Sequence, residues 1–264
     1  MIREARMFPA LLRVGFASMV AYRAEIVIWI LSTTMPLIMY AMWSTVAREA
    51  PIGRFDDAGF ASYFLAMLVV RQLSSAWVVW EVNELVRSGQ LSMSLLRPLH
   101  PIVYFAAENL AAIPLRLVVM VPIVALALWA IPGIRVSDAP ADLLLAAAAT
   151  FLSWLLTFLF QALIGVLALY TQQSLSFQEA WFGLWALFSG YLMPLELFPA
   201  LERVARWLPF RSMAGLPTEI ALGHLQAGAL WQGLSIQLAW VLAAGVLLSR
   251  LWPRAIRRFE AYGG

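Results

Sequence analysis

The run 143–170 contains no Asp, Glu, Lys or Arg. It is longer than the roughly 20 apolar residues that cross a bilayer. A helix apolar on every side belongs in a membrane or in the centre of a large protein, and this chain of 264 residues is too short to wrap several such helices. Similar runs recur along it. The chain is 62% hydrophobic and 12% charged, whereas soluble domains are roughly 45–50% apolar and about 25% charged. The expected class is an all-α integral membrane protein with six transmembrane helices, at 26–46, 60–80, 102–131, 143–170, 180–193 and 230–252. Pro114 and Pro122 should kink the third. The whole chain reads as one transmembrane domain, without internal repeats. Twelve Trp fit aromatic belts at the two interfaces.

The segments between the runs set orientation. Residues 1–23 place Arg3, Arg6 and Arg13 on one side of a helical wheel, and Phe8, Leu11, Leu12, Phe16 and Met19 on the other. This is the pattern of an interfacial amphipathic helix, with Pro9 starting or kinking it. It lacks the apolar core and small-residue cleavage site of a signal peptide. With the N-terminus inside, Arg3, Arg6, Arg13, Arg23, Arg87, Arg97, Arg250, Arg254, Arg257 and Arg258 fall on one face. Arg48, Arg54, Arg135, Arg203, Arg206 and Arg211 fall on the other. The excess of arginine makes the first face cytoplasmic, with both termini there.

Two absences narrow the chemistry. Cysteine is missing, so there is no disulfide or thiolate site. Lysine is missing too: all 18 basic residues are arginine. A P-loop needs a lysine on the β/γ-phosphates, so a partner must hydrolyse any ATP this protein uses. The net charge of +3 gives no reason to expect nucleic acid.

Two inter-run segments are not simple turns. The first, EVNELVRSGQLSMSLLRPLHP at 81–101, mixes acids and arginines with a Ser88–Gly89 break, and Pro98 and Pro101 stop it. Within 85–96, Leu91 and Leu95 sit one helical turn apart, spaced to fill a pocket in a soluble partner. From the residues alone, an ordinary inner loop is an equal reading. The second segment, 189–223, carries Pro194, Pro199, Pro209 and Pro217. It is too polar to span and too apolar for a surface loop. One or two short helices dipping into the outer leaflet, shielded by protein, fit it. Residues 171–178 read as a polar turn.

These two segments carry a resemblance. RSGQL…LLRPLHP after the second run, and SGYLMPLELFP…LPFRSMAGLPTEIALG before the last, resemble the permease subunits of ABC-2-type exporters. They are most similar to a bacterial branch linked to drug and viologen efflux. The likeness covers essentially the whole chain. It implies a pore made with a second permease, identical or a sibling, in the bacterial inner membrane among its lipids. It also implies a separate ATPase on each permease, which would hold ATP and Mg, leaving no cofactor in this chain. By the same resemblance, 81–101 holds the coupling helix, with Glu84, Arg87, Gly89, Leu91, Leu95, Leu96, Arg97 and Pro98 as ATPase-coupling residues. The 194–223 segment becomes a re-entrant extracellular gate, with Pro194, Glu196, Phe198, Pro199, Pro209 and Phe210. The implied cargo is a hydrophobic or amphipathic molecule: a drug, lipophilic cation, lipid or glycolipid.

Three charges fall inside the runs: Arg71, Glu108 and Arg116. Each costs roughly 2.5–3.5 kcal/mol on insertion scales, so each should face a partner or a cavity. By helical rise, Arg71 lies about 14 Å and Glu108 about 9 Å from the inner end. An Arg71–Glu108 salt bridge is expected, with contact of Glu108 to a cationic substrate as the alternative. Arg116 is expected to line a pore or hold a lipid headgroup. Glu25 and Glu179 read as solvated or capping groups, and Glu196 and Glu202 as the rim of the gate. His100 and His224 should lie on opposite faces, which excludes a shared metal site. An intramembrane enzyme acting on lipid and a secondary transporter are the competing classes. Ser189-Gly190 follows Leu187-Phe188 and so lacks the Gly-x-Ser-Gly of an intramembrane serine protease. No inverted repeat supports a secondary transporter.

Overall fold

The computed structural model describes residues 2–21, 34–171 and 174–259. Its elements are helical, apart from a single bridge between Ile52 and Phe55. Four helices or near-continuous helix pairs are long and apolar enough to cross a membrane: Asp57–Arg87, Pro101–Ala130, Pro140–Thr171 and Ala227–Ile256. They correspond to the expected runs at 60–80, 102–131, 143–170 and 230–252. The expected run at 180–193 lies mostly in the 15-residue helix Ser174–Phe188. At 1.5 Å per residue that helix is about 22 Å long, short of the roughly 30 Å hydrocarbon core. Of the first run, 26–33 lies outside the described residues, and the rest is the 13-residue helix Met35–Ala47. The polar stretch 171–178 is not a simple turn either. A helix begins at Ser174, so Gln178 and Glu179 are helical.

Pro140–Val166 is the axis of the fold. It packs against Ala227–Ile256, Gly215–Ala221, Val78–Arg87, Asp57–Ser74 and Pro209–Met213. Lipid offers no hydrophobic drive for helices to associate, so close packing and polar contacts must hold them. Small residues provide the approach: Ala149, Ser153 and Ala162 are fully buried, and Gly165 lies so near Val82 that an added Cβ would sit 3.1 Å from it. Polar contacts come from Gln237, whose Nε2 lies 2.9 Å from the Ala149 carbonyl, 3.0 Å from Ser153 Oγ and 2.8 Å from the Ser212 carbonyl.

Burial separates inner spans from outer ones. In an apolar 18-residue stretch of each span, two thirds is buried in the protein for Asp57–Arg87, against 22% for both Pro101–Ala130 and Ala227–Ile256. The latter two therefore turn most of their apolar surface outward. One core cluster gathers Phe55, Phe60, Tyr63, Phe64 and Met67. A second gathers Val82, Leu91, Phe105, Trp154, Phe158 and Trp252, and a smaller third gathers Ala146, Ala149, Leu216, Ile220 and Leu230.

The second and third spans are broken. Asp56 accepts from the Gly59 amide at 2.7 Å and starts the second. It stops at Ser75, which is extended (φ −71°, ψ 143°), and resumes as Val78–Arg87. The third is interrupted at Ala112 between Pro101–Ala111 and Ile113–Ala130. Pro114 starts its second half rather than kinking a continuous helix, and Pro122 lies inside that half. The helix Ile2–Ala21 runs through Pro9 and lies along Pro101–Ala111. Gly15 provides that contact: a Cβ there would meet the Ala111 Cβ at 2.9 Å.

Candidate functional site

Three regions carry the charged and polar side chains. The first begins where Val78–Arg87 ends. Gly89, at φ +71°, turns the chain in the left-handed region that glycine adopts without strain. A five-residue helix, Leu91–Leu95, follows. Its faces differ from the sequence expectation. Leu91 is fully buried in the chain's own core with Val82, Val86 and Phe105, and Leu95 packs against the same cluster. Leu91 presents no surface to a partner, and Leu95, half-buried, presents only part of its own. The open side belongs to Met93, 67% exposed, and Leu96, 80% exposed. Glu84, Arg87, Arg97 and Pro98 are exposed around them. Met93 was missed because five residues are too few for a hydrophobic period to reveal the inward face.

Beside this helix lies a cavity of about 600 Å³, lined by Leu11, Leu85, Met93, Arg97, Phe105 and others, with Glu81, Glu84 and Glu108 in its wall. Arg97 lies over the Tyr104 ring, 5.5 Å from its centroid. His100 caps Pro101–Ala111, its Nδ1 accepting from the Ile102 amide at 3.3 Å, and its ring lies 5.7 Å from Trp252.

The second region is the break in the second span. Ending a helix inside a membrane leaves carbonyls that only protein can satisfy. Arg116, buried and reaching over from the third span, donates to the Gln72 carbonyl at 2.8 Å and the Ser75 carbonyl at 3.0 Å. Its guanidinium also lies 4.8 Å from the Trp77 ring centroid. Asn109 completes the repair, accepting from the Trp77 amide at 3.1 Å. Arg116 therefore serves the backbone here, rather than a pore or a lipid headgroup.

The expected Arg71–Glu108 ion pair is absent among the described residues. Arg71 lies 4.7 Å from the Trp185 ring centroid, and its Nε is buried without an acceptor. Glu108 accepts from the Tyr104 hydroxyl at 2.7 Å. The depth estimate assumed unbroken helices. The breaks at Ser75 and Ala112 send the two side chains to different neighbours.

The third region is 189–223. It forms a 3₁₀ turn, Leu195–Leu197, and three short helices, Pro199–Ala205, Pro209–Met213 and Gly215–Ala221. There are more helices than expected, and 209–218 is buried throughout. Two glycines allow the fold-back. Gly190, at φ +86°, gives its carbonyl to the Tyr63 hydroxyl at 2.9 Å, and a Cβ on Gly215 would meet the Ser189 carbonyl oxygen at 2.5 Å. Arg211 and Glu219 form a buried ion pair. Burial opposes the Arg211 charge, but Glu219 outweighs it and raises the guanidinium above its ordinary range. Of the expected gate residues, Pro194, Pro209 and Phe210 are buried, while Phe198 and Pro199 are exposed. Glu196 pairs with Arg54 at 2.9 Å. Desolvation raises the Glu196 carboxyl, against the pull of Arg54. Burial, reinforced by Arg54, holds the His224 imidazole down at about 4.

The segments group by end. Leu95, Arg97 and Pro98 border the same cleft as Pro253, Ile256 and Arg257, where the His100 ring lies against Trp252. At the other end, Arg54 meets Glu196 and the His224 carbonyl, and the Ser137 amide meets the Ala221 carbonyl. His100 and His224 are therefore far apart. Among the described residues, no three His, Cys, Asp or Glu are grouped to hold a metal.

A family model described as ABC-2 family transporter protein matches residues 55–263. No curated protein matches the chain.

Proposed function

We propose that this chain, which belongs to the ABC-2 family of transporter proteins, is the membrane permease subunit of an ATP-driven exporter whose ATP is hydrolysed on a separate subunit. The observation that carries the reading is the Leu91–Leu95 helix. It is fixed to the core by Leu91 and offers Met93 and Leu96 outward at the end of a span. A short helix rooted in the membrane domain can pass a push from a soluble motor into the spans, provided the motor grips its outer side. The chain's lack of lysine agrees with a motor elsewhere.

In this reading the chain crosses a bacterial inner membrane six times, with 26–46 and 180–193 added to the four long spans. Both termini are cytoplasmic, and a second permease, identical or a sibling, completes the path. The buried 209–218 segment and the Arg54–Glu196 pair form the outer gate. The cargo is hydrophobic or amphipathic.

The test is co-purification with any ABC ATPase encoded beside it, followed by ATP hydrolysis in proteoliposomes with candidate lipophilic ligands. A specific complex whose hydrolysis rises with a transported ligand is expected. Transport by the chain without any ATPase would overturn the proposal.

A further inference from the structure

A second cleft, of about 450 Å³, lies where the last span ends, between the 95–101 stretch and residues 252–257. Arg97 and Arg257 stand in its wall, and no Asp or Glu among the described residues lines it. Arg97 is partly engaged, its guanidinium lying over the Tyr104 ring. Arg257 is exposed, as are Arg250 and Arg254 on the same helix. At about 100° per residue, these two lie roughly 20° and 60° around the axis from Arg257. None of the three is in an ion pair among the described residues. Two helix ends meet here with opposite partial charges, the start of Pro101–Ala111 and the end of Ala227–Ile256. They offset each other, so the arginines set the sign of the cleft.

The rest of the wall is apolar, with Leu95, Leu99, Trp252 and Ile256. That character continues up the last span. Leu238, Leu242 and Val246 are 48%, 60% and 50% exposed. Successive members of this i, i+4 row fall within the arc that Trp252 and Arg257 bound on the helix. The span has 30 residues, about 45 Å at 1.5 Å each, against a hydrocarbon core of roughly 30 Å. Its arginine-bearing end therefore stands at headgroup depth, with the exposed apolar row in the acyl region beside it.

We infer that this cleft binds an anionic phospholipid. The phosphodiester lies on Arg257 and Arg254, with Arg97 across from it, and an acyl chain follows Val246 and Leu242. Guanidinium groups match phosphate oxygens in geometry as well as charge, and basic pockets between spans suit acidic headgroups. A soluble phosphate would use only the arginines, whereas a phospholipid uses the arginines and the apolar row together. Because Leu95 borders the cleft, the bound lipid ties the end of the Leu91–Leu95 helix to the last span.

The inference needs only a chain that spans a membrane. It goes beyond the permease reading, and neither ATPase nor cargo enters its test, so the two can fail separately.

The experiment is native mass spectrometry of the purified full chain in neutral detergent, titrated with palmitoyl-oleoyl phosphatidylglycerol or with phosphatidylethanolamine of the same chains. The first phosphatidylglycerol is expected to bind at least tenfold more tightly than phosphatidylethanolamine. Arg254→Gln/Arg257→Gln should remove that preference, and Arg254→Lys/Arg257→Lys, which keeps the charge, should retain most of it. Arg135→Gln, exposed at the other end, should change nothing. Size-exclusion profiles report folding, and Arg257→Gln alone, with at least a threefold loss, carries the test if the double variant misfolds. Glycerophosphoglycerol, the headgroup without chains, should fail to displace the lipid at hundredfold excess. Displacement by it would assign the arginines to a free phosphate ester and overturn the lipid assignment. Equal affinity for the two lipids, or an unchanged preference in the double glutamine variant, would reduce the contact to ordinary surrounding lipid and overturn the inference.

Discussion

Replacing Met93 and Leu96 with serine should detach the ATPase while leaving the membrane domain intact. Leu96 is 80% exposed and Met93 67% exposed. Fully burying a Leu or Met side chain is worth about 1.5–3 kcal/mol. Covering the exposed fractions under a partner is then worth about 1.2–2.4 kcal/mol for Leu96 and about 1.0–2.0 kcal/mol for Met93. Their loss together, about 2–4 kcal/mol, weakens docking roughly 30- to 700-fold at about 1.4 kcal/mol per decade. Leu91→Ala is the contrasting variant. Leu91 is fully buried, so its truncation should cost about 2–5 kcal/mol of folding stability without removing any surface the partner grips. The assay titrates purified ATPase onto immobilised permease by interferometry, alongside thermal unfolding in detergent. Met93→Ser/Leu96→Ser should lose affinity and keep its melting temperature, and Leu91→Ala should lower its melting temperature. Wild-type ATPase affinity in the double variant would refute the assignment of the docking side.

Two further predictions follow from the charges. Arg116→Met should destabilise the protein, because it strips the carbonyls of Gln72 and Ser75 of their charged donor. The Gln72 carbonyl keeps a long 3.4 Å bond from the Ser75 hydroxyl, so the Ser75 carbonyl is the acceptor that loses its donor, at about 1–3 kcal/mol, and Arg116→Lys should recover part of the loss in thermal unfolding. His224 is held at about 4, below the ordinary 6.5. The folded state thus binds fewer protons than the unfolded one. This stability is complete above pH 6.5 and is lost as pH falls from 6.5 toward 4. After allowance for its partial exposure the loss is about 1–2 kcal/mol. Denaturant titrations should show a shallower acid-side decline in His224→Gln, and identical slopes would contradict this.

The long spans were legible because their signal is local: a run such as 143–170 states its own environment. The helix at the start and the two unusual inter-run segments were legible for the same reason. The break in the second span was not. Residues 72–77 read Gln-Leu-Ser-Ser-Ala-Trp, without Gly or Pro to announce it, and the group that makes it tolerable is Arg116, far along the chain. The inward face of Leu91–Leu95 was hidden by its brevity. The Arg71–Glu108 pairing failed because depth counted along ideal helices does not survive two breaks. The cavity acids were visible as residues, but their convergence depends on Pro101–Ala111 packing against both Val78–Arg87 and Ile2–Ala21.

The repair of the second span also has a place in time. The carbonyls of Gln72 and Ser75 are synthesised 44 and 41 residues before the arginine that satisfies them. At roughly 5–20 residues per second that interval is about 2–9 seconds. During it, the half-made span has no final partner and cannot be released to lipid in its finished shape. The second and third spans must therefore leave the insertion machinery as one hairpin, and the ribosome completes the second only by writing the third.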